Sequence, residues 1–144
     1  MAETMIWNRL AKAARVVCER QIVDKDGGVK RLWRATINSW NGIVAAAQSE
    51  QAFREELVML AIGAPLAFFL TADAGKRFAL IGVLVFLLVV ELLNTAIEKL
   101  SDRVSLDQDP VLKRVKDMGS AAILLSLLLA GMLWLWVAFE WFWL

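Results

Sequence analysis

The sequence predicts an all-helical membrane protein, with three transmembrane helices preceded by an amphipathic helix on the membrane surface. Three observations carry this prediction. Hydrophobic residues make up 59% of the 144, more than an ordinary soluble domain holds. Apolar tracts at about Leu57–Ala72, Phe78–Ile97 and Gly119–Leu144 reach or approach the roughly 20 residues that cross a bilayer. A basic stretch with helically spaced apolar residues precedes them, as a helix in the headgroup plane requires. The length fits one domain.

Taken in order, residues 1–28 form an N-terminal extension whose Leu10, Ala14 and Val17 oppose Arg9, Lys12, Arg15 and Arg20. This is a weak amphipathic pattern and a candidate surface helix. The apolar residues near Trp7 are broken by Arg9, Lys12 and Arg15, so no secretory signal is expected. Lys25–Gly28 (KDGG) reads as a turn. From 29 to about 50 the surface helix sets Val29, Leu32, Trp33, Ile37 and Trp40 against Lys30, Arg31, Arg34, Asn38 and Asn41. The first span is placed at about 52–72, because its apolar tract of 16 residues is short unless the helix begins near Ala52. Gly63 and Pro65 fall within it. The second span, 78–97, and the third, 119–144, are long enough outright. Trp134, Trp136, Trp141 and Trp143 cluster late in the third, as an interfacial aromatic belt does.

Basic residues set the topology. Nine Lys and Arg precede the apolar tract that starts at Leu57, two lie at 76 and 77, five lie within 98–118, and none follows. The positive-inside bias puts the N-terminus and the 98–118 loop in the cytoplasm and the 73–77 turn outside. A net charge of +1 argues against a nucleic-acid partner chosen by bulk charge. With no histidine in the chain, acid or base chemistry falls to carboxylates and any metal to oxygen ligands. Cys18 is alone, which excludes an intramolecular disulfide.

Glu91 interrupts the second apolar tract. Inserting a carboxylate there costs about 3 kcal/mol or more, so it must face protein or a wet cavity, and such residues are presumptively functional. At about 100° per residue, Asn94, Thr95, Glu98 and Asp102 project at about −60°, +40°, −20° and +20° from Glu91, on one helix face. Glu98 stands about 10 Å further along the axis, towards the cytoplasmic surface. Burial disfavours the charged form of Glu91, which suits a general base working near neutrality. A second acidic cluster, Glu50, Glu55 and Glu56, reads by itself as a polar helix boundary, yet the topology puts it on the same leaflet as Glu98. Glu50 and Glu98 would suffice to hold Mg²⁺ once the phosphates of ATP supply further ligands. Lys116–Ala122 (KDMGSAA) offers Lys116 to neutralise phosphate charge and Ser120 to meet a headgroup; its small residues equally permit close helix packing. Neither a GxxxxGK[ST] loop nor a protein-kinase glycine loop is present.

Three motifs in this order, Glu50–Glu56 (EQAFREE), Glu91–Glu98 (ELLNTAIE) followed by Asp102 and Arg103, and Lys116–Ala122 (KDMGSAA), closely resemble the prokaryotic integral-membrane diacylglycerol kinases. The resemblance runs from about Val29 to the C-terminus and implies a kinase-like membrane domain over 29–144. It implies transfer of the γ-phosphate of Mg-ATP to diacylglycerol, giving phosphatidate, by a homotrimer in the bacterial inner membrane with sites shared between subunits. Carried onto this sequence, it makes Glu91 the base, with Glu50 and Glu98 holding Mg²⁺ and orienting ATP. Lys116 and Asp117 would contact the nucleotide. Arg31, Ala52, Phe53, Arg54, Glu55, Glu56 and Ser120 would border the lipid headgroup, with Asn94 supporting the base. Contacts to ATP from Asp107 and Asp109 would come from the 105–109 connection, which follows the family in length without a fixed motif. Asn38 stands where relatives often have an aromatic residue, so no adenine stacking is implied there. The 1–28 extension lies beyond the usual family start.

Two other readings of the residues stay open at this level. A kinase of the same family could phosphorylate a polyprenol such as undecaprenol, whose terminal hydroxyl also reaches the interface. A small oligomeric proton or ion carrier would use Glu91 alone, but needs no cluster such as Glu50, Glu98, Lys116 and Asp117.

Overall fold

The computed structural model describes residues 28–105 and 109–143, and all regular structure among them is helical. Among the described residues there are four helices: α1 Gly28–Ser49, α2 Gln51–Leu70, α3 Ala74–Val104 and α4 Pro110–Trp143. The predicted helix of the 1–28 extension, its turn up to Gly27, and Asp107 fall outside the described residues.

The chain divides into two compact units, residues 1–42 and 43–144. In the first, α1 leaves both its apolar residues Val29, Leu32, Trp33 and Trp40 and its basic residues Lys30, Arg31 and Arg34 exposed. In the second, α3 packs along both α2 and α4, which touch each other little. Ala46, Phe53 and Leu88 form a core near one end, flanked by Leu57, Leu60 and Leu92. Ala67, Leu80 and Val137 form another near the opposite end, with Leu133 and Trp134. Between them Gly63 lets α2 approach closely, since a Cβ there would meet Leu84 at 2.5 Å and Trp134 at 3.2 Å. Trp134 therefore packs inward, with its indole nitrogen buried and unpartnered, while Trp136, Trp141 and Trp143 stay exposed.

Among the described residues, two helices are long and apolar enough to cross a membrane, Ala74–Val104 and Pro110–Trp143. Every 18-residue stretch of α2 contains Arg54, Glu55 and Glu56, so α2 does not match them by composition. Its helix nevertheless runs unbroken through Pro65. Helix α3 overruns the predicted 78–97 span at both ends. Asp73 caps it by accepting a hydrogen bond from the Lys76 backbone at 2.8 Å, and polar residues continue it to Val104. Helix α4 starts nine residues before the predicted 119, at Pro110, a favourable first position for a residue without an N–H. Asp109 accepts from the Val111 backbone at 2.7 Å. The predicted 98–118 loop is therefore mostly helix, because charged residues such as Lys113 and Arg114 break hydrophobicity without breaking a helix.

Candidate active site

Glu91, Asn94 and Thr95 are all buried on α3, so the face predicted from helical angles is the one turned inward. Glu98, one turn on, is half-exposed, and Asp102 and Arg103 reach solvent. The face thus grades from buried to wet, as a site that opens at one end of a bundle requires. Asn94 Nδ2 donates to Glu98 Oε1 at 3.1 Å, while Asn94 Oδ1 is buried without a partner.

Glu50 reaches this face from the corner between α1 and α2. Its backbone is extended (φ −111°, ψ 124°) and it occupies the N-cap of α2 without a side-chain cap bond. The carboxylate instead accepts from Lys99 Nζ at 2.9 Å and from Ser49 Oγ at 2.9 Å. Lys99 also donates to Ser49 Oγ at 2.8 Å. The hydrogen bond from Lys99, reinforced by Ser49, holds the Glu50 carboxyl below its ordinary range. Lys99 was not expected in the site; its place beside Glu98 in the sequence was the available signal.

Glu56 is also buried, with Oε2 unpartnered. It lies one turn from Phe53 along the inward stripe of α2 that includes Gly63 and Ala67. Glu91 interacts electrostatically with Glu50, Glu56 and Glu98, so four carboxylates from two helices and their corner share one neighbourhood. Two turns from Glu91 on the same face of α3, Leu84 borders an apolar groove of about 430 Å³ whose other walls include Met59, Leu66, Leu127 and Trp134.

The remaining predicted site residues make contacts of their own. Phe53 is a core residue, 2% exposed. Arg54 turns back to the last turn of α1, donating to the Ala47 carbonyl at 3.2 Å. Ala52 is exposed, and Glu55 accepts from Gln51 at 2.8 Å. Lys116 pairs with Asp102, joining the end of α3 to the start of α4, and Asp117 and Ser120 are exposed. Asp109 caps α4. Arg31 is exposed within the first unit.

No three acidic, His or Cys residues among the described ones close on a metal. Two carboxylates with phosphate oxygens are nonetheless the usual donor set for Mg²⁺. Glu50 already presents its carboxylate to a cation, the ammonium of Lys99. The donors therefore fit a metal brought by a nucleotide, without forming a closed protein cage.

Comparison with known proteins decides the lineage. The family model for prokaryotic diacylglycerol kinase matches residues 37–138, which contain all three motifs. The chain belongs to the prokaryotic diacylglycerol kinase family. It is 43% identical over 107 residues to a diacylglycerol kinase of Pseudomonas aeruginosa, covering 74% of this chain and 87% of that protein. The Escherichia coli K12 diacylglycerol kinase is 38% identical over 107 residues, 74% of this chain and 88% of that one. One from Helicobacter pylori J99 is 33% identical over 114 residues, 79% of this chain and 89% of that one. Membership makes the chain an ATP-dependent kinase of this family, and the family together with two long apolar helices supports a membrane protein.

Proposed function

We propose that this protein transfers the γ-phosphate of Mg-ATP to the hydroxyl of diacylglycerol, giving phosphatidate and ADP. The observation that carries the reading is the buried Glu91, facing the bundle interior within electrostatic reach of Glu50 and Glu98. Glu91 takes the hydroxyl proton as the lipid oxygen attacks the γ-phosphorus, and the bond to the β–γ bridging oxygen breaks. Phosphoryl transfer chiefly needs alignment and neutralised charge. Bound Mg²⁺ would supply that neutralisation, held by Glu50 and Glu98. For these residues Lys99 is a placeholder: its ammonium balances Glu50 until the metal–nucleotide arrives. Asn94 fixes the orientation of Glu98, and the apolar groove below Glu91 suits a lipid tail.

In the bacterial inner membrane, α2 serves as a third span completed by Thr71 and Ala72, with its charged first turns at the cytoplasmic surface. The N-terminus is cytoplasmic, and α1, which carries Arg31, lies at the level of the headgroups. The subunits form a homotrimer, which would let Lys116 and Asp117 at the start of α4 meet a nucleotide held by a neighbour. Exposed Ala52, Glu55 and Ser120 would line the headgroup entrance, with Asp109 close to the nucleotide side. Purified protein in mixed micelles with labelled ATP should convert diacylglycerol to phosphatidate. Phosphorylation of undecaprenol alone, run in parallel, would overturn the acceptor; no transfer to either lipid would overturn the reaction.

A further inference from the structure

Gly119 is buried in α4, and its neighbour across the helix interface is polar. A Cβ at this position would stand 2.1 Å from Asn94 Oδ1 and 3.2 Å from Asn94 Cγ. The first distance is far inside contact and the second is tight, so any residue but glycine forces the amide to move. That amide is the one whose Nδ2 donates to Glu98 Oε1 at 3.1 Å. Its orientation is fixed by the carboxylate, since turning Oδ1 towards Glu98 would set two acceptors against each other. Asn94 is only 6% exposed, and α4 closes the space behind it.

The other close glycine of the bundle makes a useful contrast. At Gly63 the neighbours are apolar, Leu84 and Trp134, and a substitution there would disturb only packing. At Gly119 the displaced group is the hydrogen-bond donor of a metal-binding carboxylate. We propose that Gly119 is a positioning residue, seating Asn94 so that its amide orients Glu98 for the metal–nucleotide. This rests on the reading of Glu98 as a metal ligand given above. Partners of ligands commonly govern metal affinity in this way, with losses of about ten- to a hundredfold when they are removed.

The test is a double-mutant cycle on the full chain in detergent micelles, with Mn²⁺ and the non-hydrolysable analogue adenylyl imidodiphosphate. Binding is read from the electron paramagnetic resonance of Mn²⁺. Gly119→Ala and Asn94→Ala should each weaken Mn²⁺–nucleotide binding about tenfold, and the double variant should be no weaker than Asn94→Ala alone, because both act through one amide. Unchanged affinity in Gly119→Ala, or additive losses in the double variant, would overturn the inference. Should Gly119→Ala fail to assemble, adding Asn94→Ala removes the collision and should restore assembly; no restoration also overturns it. A parent protein that does not bind Mn²⁺–nucleotide defeats the kinase reading itself, whereas a binding parent with additive variants defeats only the role of Gly119.

Discussion

The two ends of the helical bundle treat charge in opposite ways. At the end bearing Glu140 the charged side chains find partners, although the Trp134 indole nitrogen is buried without one. Lys76 pairs with Glu140 and lies 5.7 Å from the centre of the Trp136 ring. Arg77 donates to the Thr71 carbonyl at 2.7 Å while covering Phe68 at 4.8 Å, and Asp73 caps α3. At the end bearing Glu91, buried Glu56 and Asn94 each keep an oxygen without a partner. Unpaired buried polar atoms are costly and rare in folded proteins. The first end thus pairs its charges, whereas the second leaves carboxylate and amide oxygens unpaired, which the proposed function assigns to substrate.

The comparison is broken most forcefully at Glu91. Glu91→Gln keeps volume and shape while removing a proton acceptor, so turnover should fall by about 100-fold or more with the helical content retained. The check is phosphatidate formation per folded protein. Less severe are Glu50→Gln and Glu98→Gln. Each should raise the Mg-ATP requirement about tenfold, with added Mg²⁺ recovering part of the activity because phosphates still supply ligands. Magnesium titrations that superimpose on the parent's would make both residues structural.

A pH titration sharpens the same point. The Glu50 carboxyl lies below its ordinary value of 4.5, held there chiefly by the Lys99 hydrogen bond. A depressed carboxyl contributes stability that is complete above its unfolded value and is lost as pH falls through its folded one. The Glu50–Lys99 contact should thus persist at pH 4.5 and fail only in more acid solution. Isotope-edited infrared spectroscopy of the Glu50 carboxylate would follow it. At the opposite end the smallest effect is expected. Glu140→Gln should lower stability by at most about 1 kcal/mol, because the pair is partly solvated, and leave turnover per folded protein unchanged. A large loss of turnover there would remove the contrast between the two ends.

Periodicity made much of this legible. One carboxylate in a 20-residue apolar tract, followed by polar residues near multiples of the helical repeat, was enough to mark the inward face of α3. Helix α1 was legible for the same reason. The start of α4 was not, because Pro110–Met118 is charged, and charge was taken for a loop where it marks only a solvated helix. Glu56 could have been recognised as buried, since it falls on the stripe with Phe53, Gly63 and Ala67, but its charge suggested a surface position. Lys99 beside Glu50 and Gly119 behind Asn94 are contacts between elements far apart in sequence. No spacing rule encodes how two helices are rotated about their axes, so such partners emerge only once packing is fixed.

The division of labour at the Glu91 end is tested most directly by binding Mn²⁺–adenylyl imidodiphosphate to Glu91→Gln, alongside an assay of phosphate transfer from ATP to diacylglycerol. Nucleotide affinity is expected within about threefold of the parent, about 0.7 kcal/mol, with transfer abolished. Loss of nucleotide binding together with transfer, or near-normal transfer, would contradict Glu91 as the base.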